Sequence, residues 1–240
     1  MILSKLTDIF LPPRCAGCDC ITESDFPVCS ECSKLLIRPA TKKNRCDICF
    51  LPLDKCICSK RQFYDKFSAS FFYDGAVKNT IFKLKFRARP DIAKSFARLI
   101  CFSLEERDML TEIDAVTYIP MSRYSQFKRG YNQSKLLAQH ISRLSGKPCI
   151  GYLTKYSVSR SQHSLDRISR TGNLLGMFEP DPKYAETIKG KTILIVDDVS
   201  TTGSTFNEIA KTLLIFGAEA VYAASCTVTK KSKLIIEQNK

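Results

Sequence analysis

Thr192-Ile-Leu-Ile-Val-Asp-Asp-Val-Ser-Thr-Thr-Gly-Ser-Thr205 opens as a run of β-branched and aliphatic residues, Thr192 to Val196, long enough for one buried strand. Two carboxylates follow at once, Asp197 and Asp198. Then comes a loop of small hydroxyl residues with one glycine, Ser200 to Thr205. After it, Phe206, Ile209, Ala210, Leu213 and Leu214 recur with the spacing of an amphipathic helix that stops at Gly217. This order sets free backbone N–H groups and hydroxyls around an anion at a helix N-terminus.

The acid pair separates this site from a plain phosphate cradle. Carboxylates beside a phosphate repel it unless they serve another part of the ligand, such as sugar hydroxyls, or a metal. A ligand with a phosphate at one end and a hydroxylated sugar in the middle suits both halves. An Asp-rich turn leading into an N-capped helix would account for the Ser and Thr residues. It does not require two adjacent acids before the loop.

Val196 to Thr205 resembles the phosphoribosyl-pyrophosphate (PRPP) motif of type I phosphoribosyltransferases and fits it at every position. The resemblance implies a PRPP site made of Asp197, Asp198, Val199, Ser200, Thr201, Thr202, Gly203, Ser204 and Thr205. In it the two acids hold the ribose 2′- and 3′-hydroxyls, and Thr201 to Thr205 bind the 5′-phosphate.

At 240 residues the chain can bury one good core plus a small extra module. Hydrophobic content of 44% and charged content of 25% describe an ordinary folded protein. Lys5 and Asp8 interrupt the apolar residues of Met1 to Leu11, and nothing reaches the length of a membrane span. A cytoplasmic protein without membrane insertion is expected. The net charge of +13 is unevenly spread, because Arg123 to Arg170 carries ten Lys or Arg and one acid, Asp166. Such a segment suits a polyanion, nucleic acid first, or is a solvated basic face.

Residues 1–66 are expected to form a separate cysteine module and residues 67–240 an α/β domain. Cys15-x-x-Cys18 and Cys29-x-x-Cys32 are ten residues apart; Cys46-x-x-Cys49 and Cys56-x-Cys58 are six apart. Paired thiols on tight turns suit tetrahedral zinc, which needs two ligands from each turn. A disulfide framework is disfavoured without an export signal. Two zinc ions are expected, one on Cys15, Cys18, Cys29 and Cys32, the other on Cys46, Cys49, Cys56 and Cys58. The spacing leaves swapped pairing open. Cys20 is spare, and Cys101, Cys149 and Cys226 read as core. Two four-thiolate sites would bring the module from +3 to about −1, so it is no obvious electrostatic DNA binder.

Phe67 to Tyr73 reads as a strand and Asp74-Gly75 as a turn. A helix with Val77, Ile81 and Leu84 inward ends at Arg87 to Pro90, and a second begins near Asp91. Ala115 to Ile119 is a short strand, followed by Pro120-Met121-Ser122 and a basic loop, Arg123 to Gln133. The next helix carries Leu137, Ile141 and Leu144 inward and closes at Gly146; Cys149 to Leu153 follows as a strand. His140 and His163 are the only histidines; neither belongs to a recognisable catalytic arrangement. This alternation predicts a parallel sheet with helices on both faces, the acid pair at the C-terminal end of a strand.

The whole chain resembles the competence protein F (ComF) family: a double zinc ribbon joined to a phosphoribosyltransferase-like domain. Leu11-Pro-Pro-Arg-Cys-x-x-Cys18, Leu84-Lys85-Phe86-Arg87, Arg129-Gly130-Tyr131-Asn132-Gln133 and Gln162-x-x-Leu165-x4-Arg170-x-x-Asn173-x4-Phe178 carry the likeness. Ala88 stands where many members have glycine. The resemblance implies handling of single-stranded DNA during natural transformation. It suggests Ser122, Lys128, Arg129 and Arg170 for the pyrophosphate, with Mg²⁺, and Arg123, Lys128, Arg129 and Tyr131 for DNA. Enzymes of 6-oxopurine salvage place an aspartate where Thr201 stands, so that activity is disfavoured. A transferase with an unidentified acceptor and an adaptor docking a DNA translocation motor are the other readings. No phosphate loop of the G-x4-G-K-[ST] type is present, so translocation would need a partner.

Overall fold

The computed structural model describes residues 14–22, 27–36, 46, 62–155 and 178–229. Its centre is a four-stranded, wholly parallel sheet in the order β1-β6-β5-β2. These strands are β1 (Lys66–Phe72), β2 (Ala115–Tyr118), β5 (Thr192–Ser200) and β6 (Ala220–Val228). β5 is a middle strand, and its residues Ile193 to Val196 are fully buried. Their alternation feeds two cores. Leu194 and Val196 join Tyr222, Ala224 and Cys226 of β6 on one face, whereas Ile193 and Ile195 join Val221 and Ala223 on the other.

The first face is covered by α2 (Gly75–Phe86), α3 (Ile92–Glu105) and α6 (Gln133–Ser145). They insert Val77, Ile81, Leu84, Phe96, Leu99, Ile100, Leu137 and Ile141, the residues that the helical spacing turns inward. Asp74 serves as the N-cap of α2, accepting from the Gly75 N–H, so the expected turn is also a helix start. The second face is covered by α7 (Ser204–Ile215), a 3₁₀ turn at Ala185–Ile188, and the antiparallel pair β3 (Leu153–Lys155) and β4 (Phe178–Pro180). A short helix α4 (Met109–Glu112) leads into β2.

Three local expectations need correction. The basic stretch after Ser122 is no loop: Arg123–Arg129 form helix α5, capped by Ser122 Oγ and ended by Gly130 at φ +81°. Cys149 makes only one parallel bridge, to Val116, and the strand proper starts at Leu153. Leu144 is half exposed rather than inward.

The first cysteine knuckles dock on the same core. Helix α1 (Ser30–Ser33) follows them, and Cys15, Ala16, Val28 and Cys32 are buried with α2 and α3. Thr80 Oγ1 donates to the Gly17 carbonyl at 2.7 Å, and Lys83 pairs with the buried Asp19 at 2.6 Å. Arg89 holds the same carboxylate. Burial works to raise the Asp19 pKa, but its hydrogen bonds to Lys83 and Arg89 outweigh that and hold it below the usual carboxylate range.

Candidate functional site

Asp197 and Asp198 stand near the C-terminal end of β5, where parallel sheets expose their ligand sites. The pairing of β2 with β5 ends at Tyr118 opposite Val196, so the chain leaving β2 runs beside the acid pair. Ser134 Oγ donates to Asp197 Oδ1 at 2.6 Å, and the Asp198 N–H donates to the same oxygen at 2.8 Å. Lys85 Nζ, from the last turn of α2, lies 3.0 Å from Asp198 Oδ1. Burial first, then the negative charge of Asp198, push the Asp197 carboxyl up to about 7, against the pull of Ser134.

A cavity of about 270 Å³ opens here. It joins the acid pair to Lys85, Ser122, Arg129, Gln133 and Lys155, which come from five other segments. Two of its buried polar atoms have no protein partner: the acceptor Asp198 Oδ2 and the donor Gln133 Nε2. Unmet atoms of both kinds on residues that line one cavity mark a place for a ligand rich in hydroxyls and phosphate oxygens. The Arg129–Gln133 box is built around this cavity. Arg129 donates to Gln133 Oε1 at 3.4 Å, and Asn132 caps α6 while donating to the Ile119 carbonyl. The half-buried Tyr131 bolts the turn to α2 through its hydroxyl and the Leu84 carbonyl.

The small-residue loop lies at the start of α7. Thr201, Thr202 and Ser204 are exposed, Thr205 partly so, while Val199 is half-buried and Ser200 buried. Gly203 at the N-cap offers no capping side chain; the Ser204 N–H donates to Thr202 Oγ1 at 3.3 Å, and the N–H groups that follow are left for an anion. Gly203 is required twice over. Its φ is +80°, and a Cβ there would lie 2.8 Å from Tyr64 Oη. Arg123 and Lys128 sit on the outer side of α5, exposed and outside the cavity lining. Arg170 and His163 lie outside the described residues.

The thiols Cys15, Cys18, Cys29 and Cys32 converge so that their four Sγ atoms all lie within 4.8 Å of one another. Tetrahedral zinc with bonds of about 2.3 Å needs sulfur separations of about 3.8 Å, and Cys18 and Cys29 are 3.8 Å apart. The backbone N–H groups of Gly17, Cys18 and Cys29 point at Cys15 Sγ, as suits a thiolate. The N–H of Cys32, above all, holds the Cys29 pKa down to about 6, while burial pushes Cys32 well up. Gly17 admits no side chain, since a Cβ would meet Cys32 Sγ at 2.6 Å. These residues fit zinc, which would tie the two knuckles together. Cys20 stays exposed beside Cys18. Of the second quartet, Cys46 is described and Cys49, Cys56 and Cys58 lie outside the described residues.

A phosphoribosyl transferase domain model matches residues 137–239. Competence protein F of Haemophilus influenzae is 28% identical over 211 residues, 86% of each chain. The DNA utilization protein YhgH of Escherichia coli K12 is 31% identical over 211 residues, again 86% of each chain. The chain belongs to the competence protein F family. Among solved structures, the glutamine PRPP amidotransferase of Bacillus subtilis, complexed with ADP and GMP, is a distant likeness. It is 20% identical with a TM-score of 0.41 over 59% of this chain, which spans 30% of that protein's length.

In this competence protein F family chain, Lys85, Gln133, Ser134 and Lys155 were not singled out as site residues by sequence reasoning. Lys85 stands there in the Leu84-Lys85-Phe86-Arg87 stretch with no role assigned, and its aim at Asp198 depends on how the end of α2 meets the end of β5. Two exposed rings were also missed, Tyr124 at 76% and Phe127 at 91% exposure, both on α5.

The raised Asp197 pKa gives a pH signature. An acid whose folded pKa lies above its unfolded value holds a proton that the unfolded chain has lost, so stability falls as pH rises from about 4 through about 7. Asp197→Asn in the ligand-free chain should match the wild type near pH 4.5 and exceed it at pH 8 by about 1–3 kcal/mol in urea unfolding. A variant less stable than wild type at pH 8 would contradict this.

Proposed function

We propose that the chain binds PRPP in the cavity beside Asp197 and Asp198 and handles single-stranded DNA in the cytoplasm during DNA uptake. The observation that carries this reading is the cavity itself, lined by Asp198 and Gln133, each with an unmet buried polar atom, and bordered by Arg129, Lys85 and Lys155. The Asp198 carboxylate accepts from a ribose hydroxyl, and Asp197, held by Ser134, stands beside it. The 5′-phosphate is received by Thr201 to Thr205 and the free N–H groups of α7. Ser122, Arg129 and Gln133 face the diphosphate, and the family likeness adds Lys128 and Arg170 as its further candidates. Mg²⁺ bound with that diphosphate would neutralise its charge, and the oxygen donors of Ser122, Asp197 and Asp198 around the cavity suit a hard, hydrated ion.

The domain division proposed is 1–66 for the zinc-binding module, with two zinc ions, and 67–240 for the PRPP-binding domain. Among the described residues no helix is long and apolar enough to cross a membrane. DNA handling draws on two supports. Relatives are named for competence and DNA utilization, and α5 presents Arg123, Lys128, Tyr124 and Phe127 outward. Cations that track a backbone, with rings that stack bases, make a single-strand surface. Tyr131, with its hydroxyl held by Leu84, acts there by fixing α5 rather than by stacking. A protein partner supplies the translocation energy.

Calorimetric titration with PRPP and Mg²⁺ tests the pocket: Asp198→Asn should weaken binding at least tenfold, and an unchanged affinity would sink the assignment. For DNA, binding of a fluorescent oligonucleotide should fall steeply between 50 and 200 mM salt, as expected of about six phosphate contacts. The pair Tyr124→Ala and Phe127→Ala should weaken it by about tenfold or more. A flat salt response, or no effect of the two rings, would count against a single-strand surface on α5.

A further inference from the structure

Lys85 is the cation of this cavity that the acid-pair motif does not account for. Its Nζ lies 3.0 Å from Asp198 Oδ1, with the lysine side chain 24% and the aspartate side chain 6% exposed. The other carboxylate oxygen, Oδ2, is buried and unpartnered. The two oxygens of Asp198 are therefore unequal in the free chain: one is buried without a partner, the other is taken by an ammonium.

The backbone beneath Lys85 is fixed. Thr80 donates to the Gly17 carbonyl, Lys83 holds Asp19, and the Leu84 carbonyl accepts from Tyr131. Helix α2 cannot easily shift, whereas the lysine stem is four rotatable bonds long and its head is a point charge that can change partners. Arg129 and Lys155 border the same cavity, so an anion entering it meets cations on several sides.

Two ligands that share a sugar but differ in charge would meet Lys85 differently. Ribose 5-phosphate brings hydroxyls to Asp198 and competes with the ammonium for Oδ1, while its own phosphate is held at α7. PRPP brings the same hydroxyls together with a diphosphate on C1, which offers the ammonium a stronger, multiply charged partner. We propose that Lys85 is a specificity-determining counter-ion: it guards Asp198 in the free chain and passes to the diphosphate when the ligand carries one. The chain thereby favours a ribose that is phosphorylated at both ends over ribose 5-phosphate. This rests on the PRPP reading of the pocket, and it assigns to one residue the discrimination between substrate and its monophosphate counterpart.

The test is a calorimetric titration of the full chain, with Mg²⁺ present, against PRPP and separately against ribose 5-phosphate. Wild type, Lys85→Met and Lys85→Arg are compared, with thermal melts confirming that each variant is folded. Lys85→Met should weaken PRPP at least tenfold while ribose 5-phosphate binds equally well or more tightly. Lys85→Arg should restore most of the PRPP affinity. Equal weakening of both ligands would reduce Lys85 to a structural ion pair and overturn the proposal, as would unchanged PRPP binding in a folded Lys85→Met. A wild type that binds neither ligand would overturn the PRPP reading of the pocket itself, a failure visible before any variant is made.

Discussion

Two adjacent carboxylates near the end of a buried middle strand are the constraint on which the rest of this structure depends. Asp197 and Asp198 follow four fully buried residues of β5, and side by side they repel each other in a medium that solvates charge poorly. The surrounding elements answer that problem one by one. Helix α6 brings Ser134 to Asp197, and helix α2 brings Lys85 to Asp198. One oxygen is left without a partner. A sequence under no demand but stability would place apolar residues there, so the unmet acceptor is a mark of ligand binding rather than of folding.

The same logic explains why the flanking elements are tied down. The Arg129–Gln133 box closes α5, caps α6 and bolts both to α2 through Tyr131. Helix α2 is in turn anchored to the first cysteine knuckles through Thr80 and Lys83. The thiol cluster and the acid pair are thus joined through one helix. Metal binding at the knuckles would stiffen the platform from which Lys85 reaches the cavity.

Much of this was legible in the sequence, for definable reasons. The aliphatic run Thr192 to Val196, the acid pair and the glycine that stops α7 are local signals, and they gave the central strand, its ligand end and the following helix. The cysteine spacing forecast the Cys15, Cys18, Cys29 and Cys32 cluster because knuckle geometry is local too. Helix α5 was misread as a loop because its two large apolar residues, Tyr124 and Phe127, face solvent and its interior face is absent. Cys149 to Leu153 misled in the other direction, an apolar run that forms one bridge before joining a separate hairpin. The pairing of Lys85 with Asp198 could not be found locally at all, since it exists only where the end of α2 meets the end of β5.

The central claim is that the acid pair receives a ribose whose C1 diphosphate points toward Ser122, Arg129 and Lys85. A crystal of the chain soaked with PRPP and Mg²⁺ tests it most directly. The account predicts ribose hydroxyls on the Asp198 carboxylate, the 5′-phosphate at the start of α7, and the diphosphate among Ser122, Lys85, Arg129 and Gln133. Ligand density away from β5, or a sugar turned so that its phosphate faces the two acids, would contradict it.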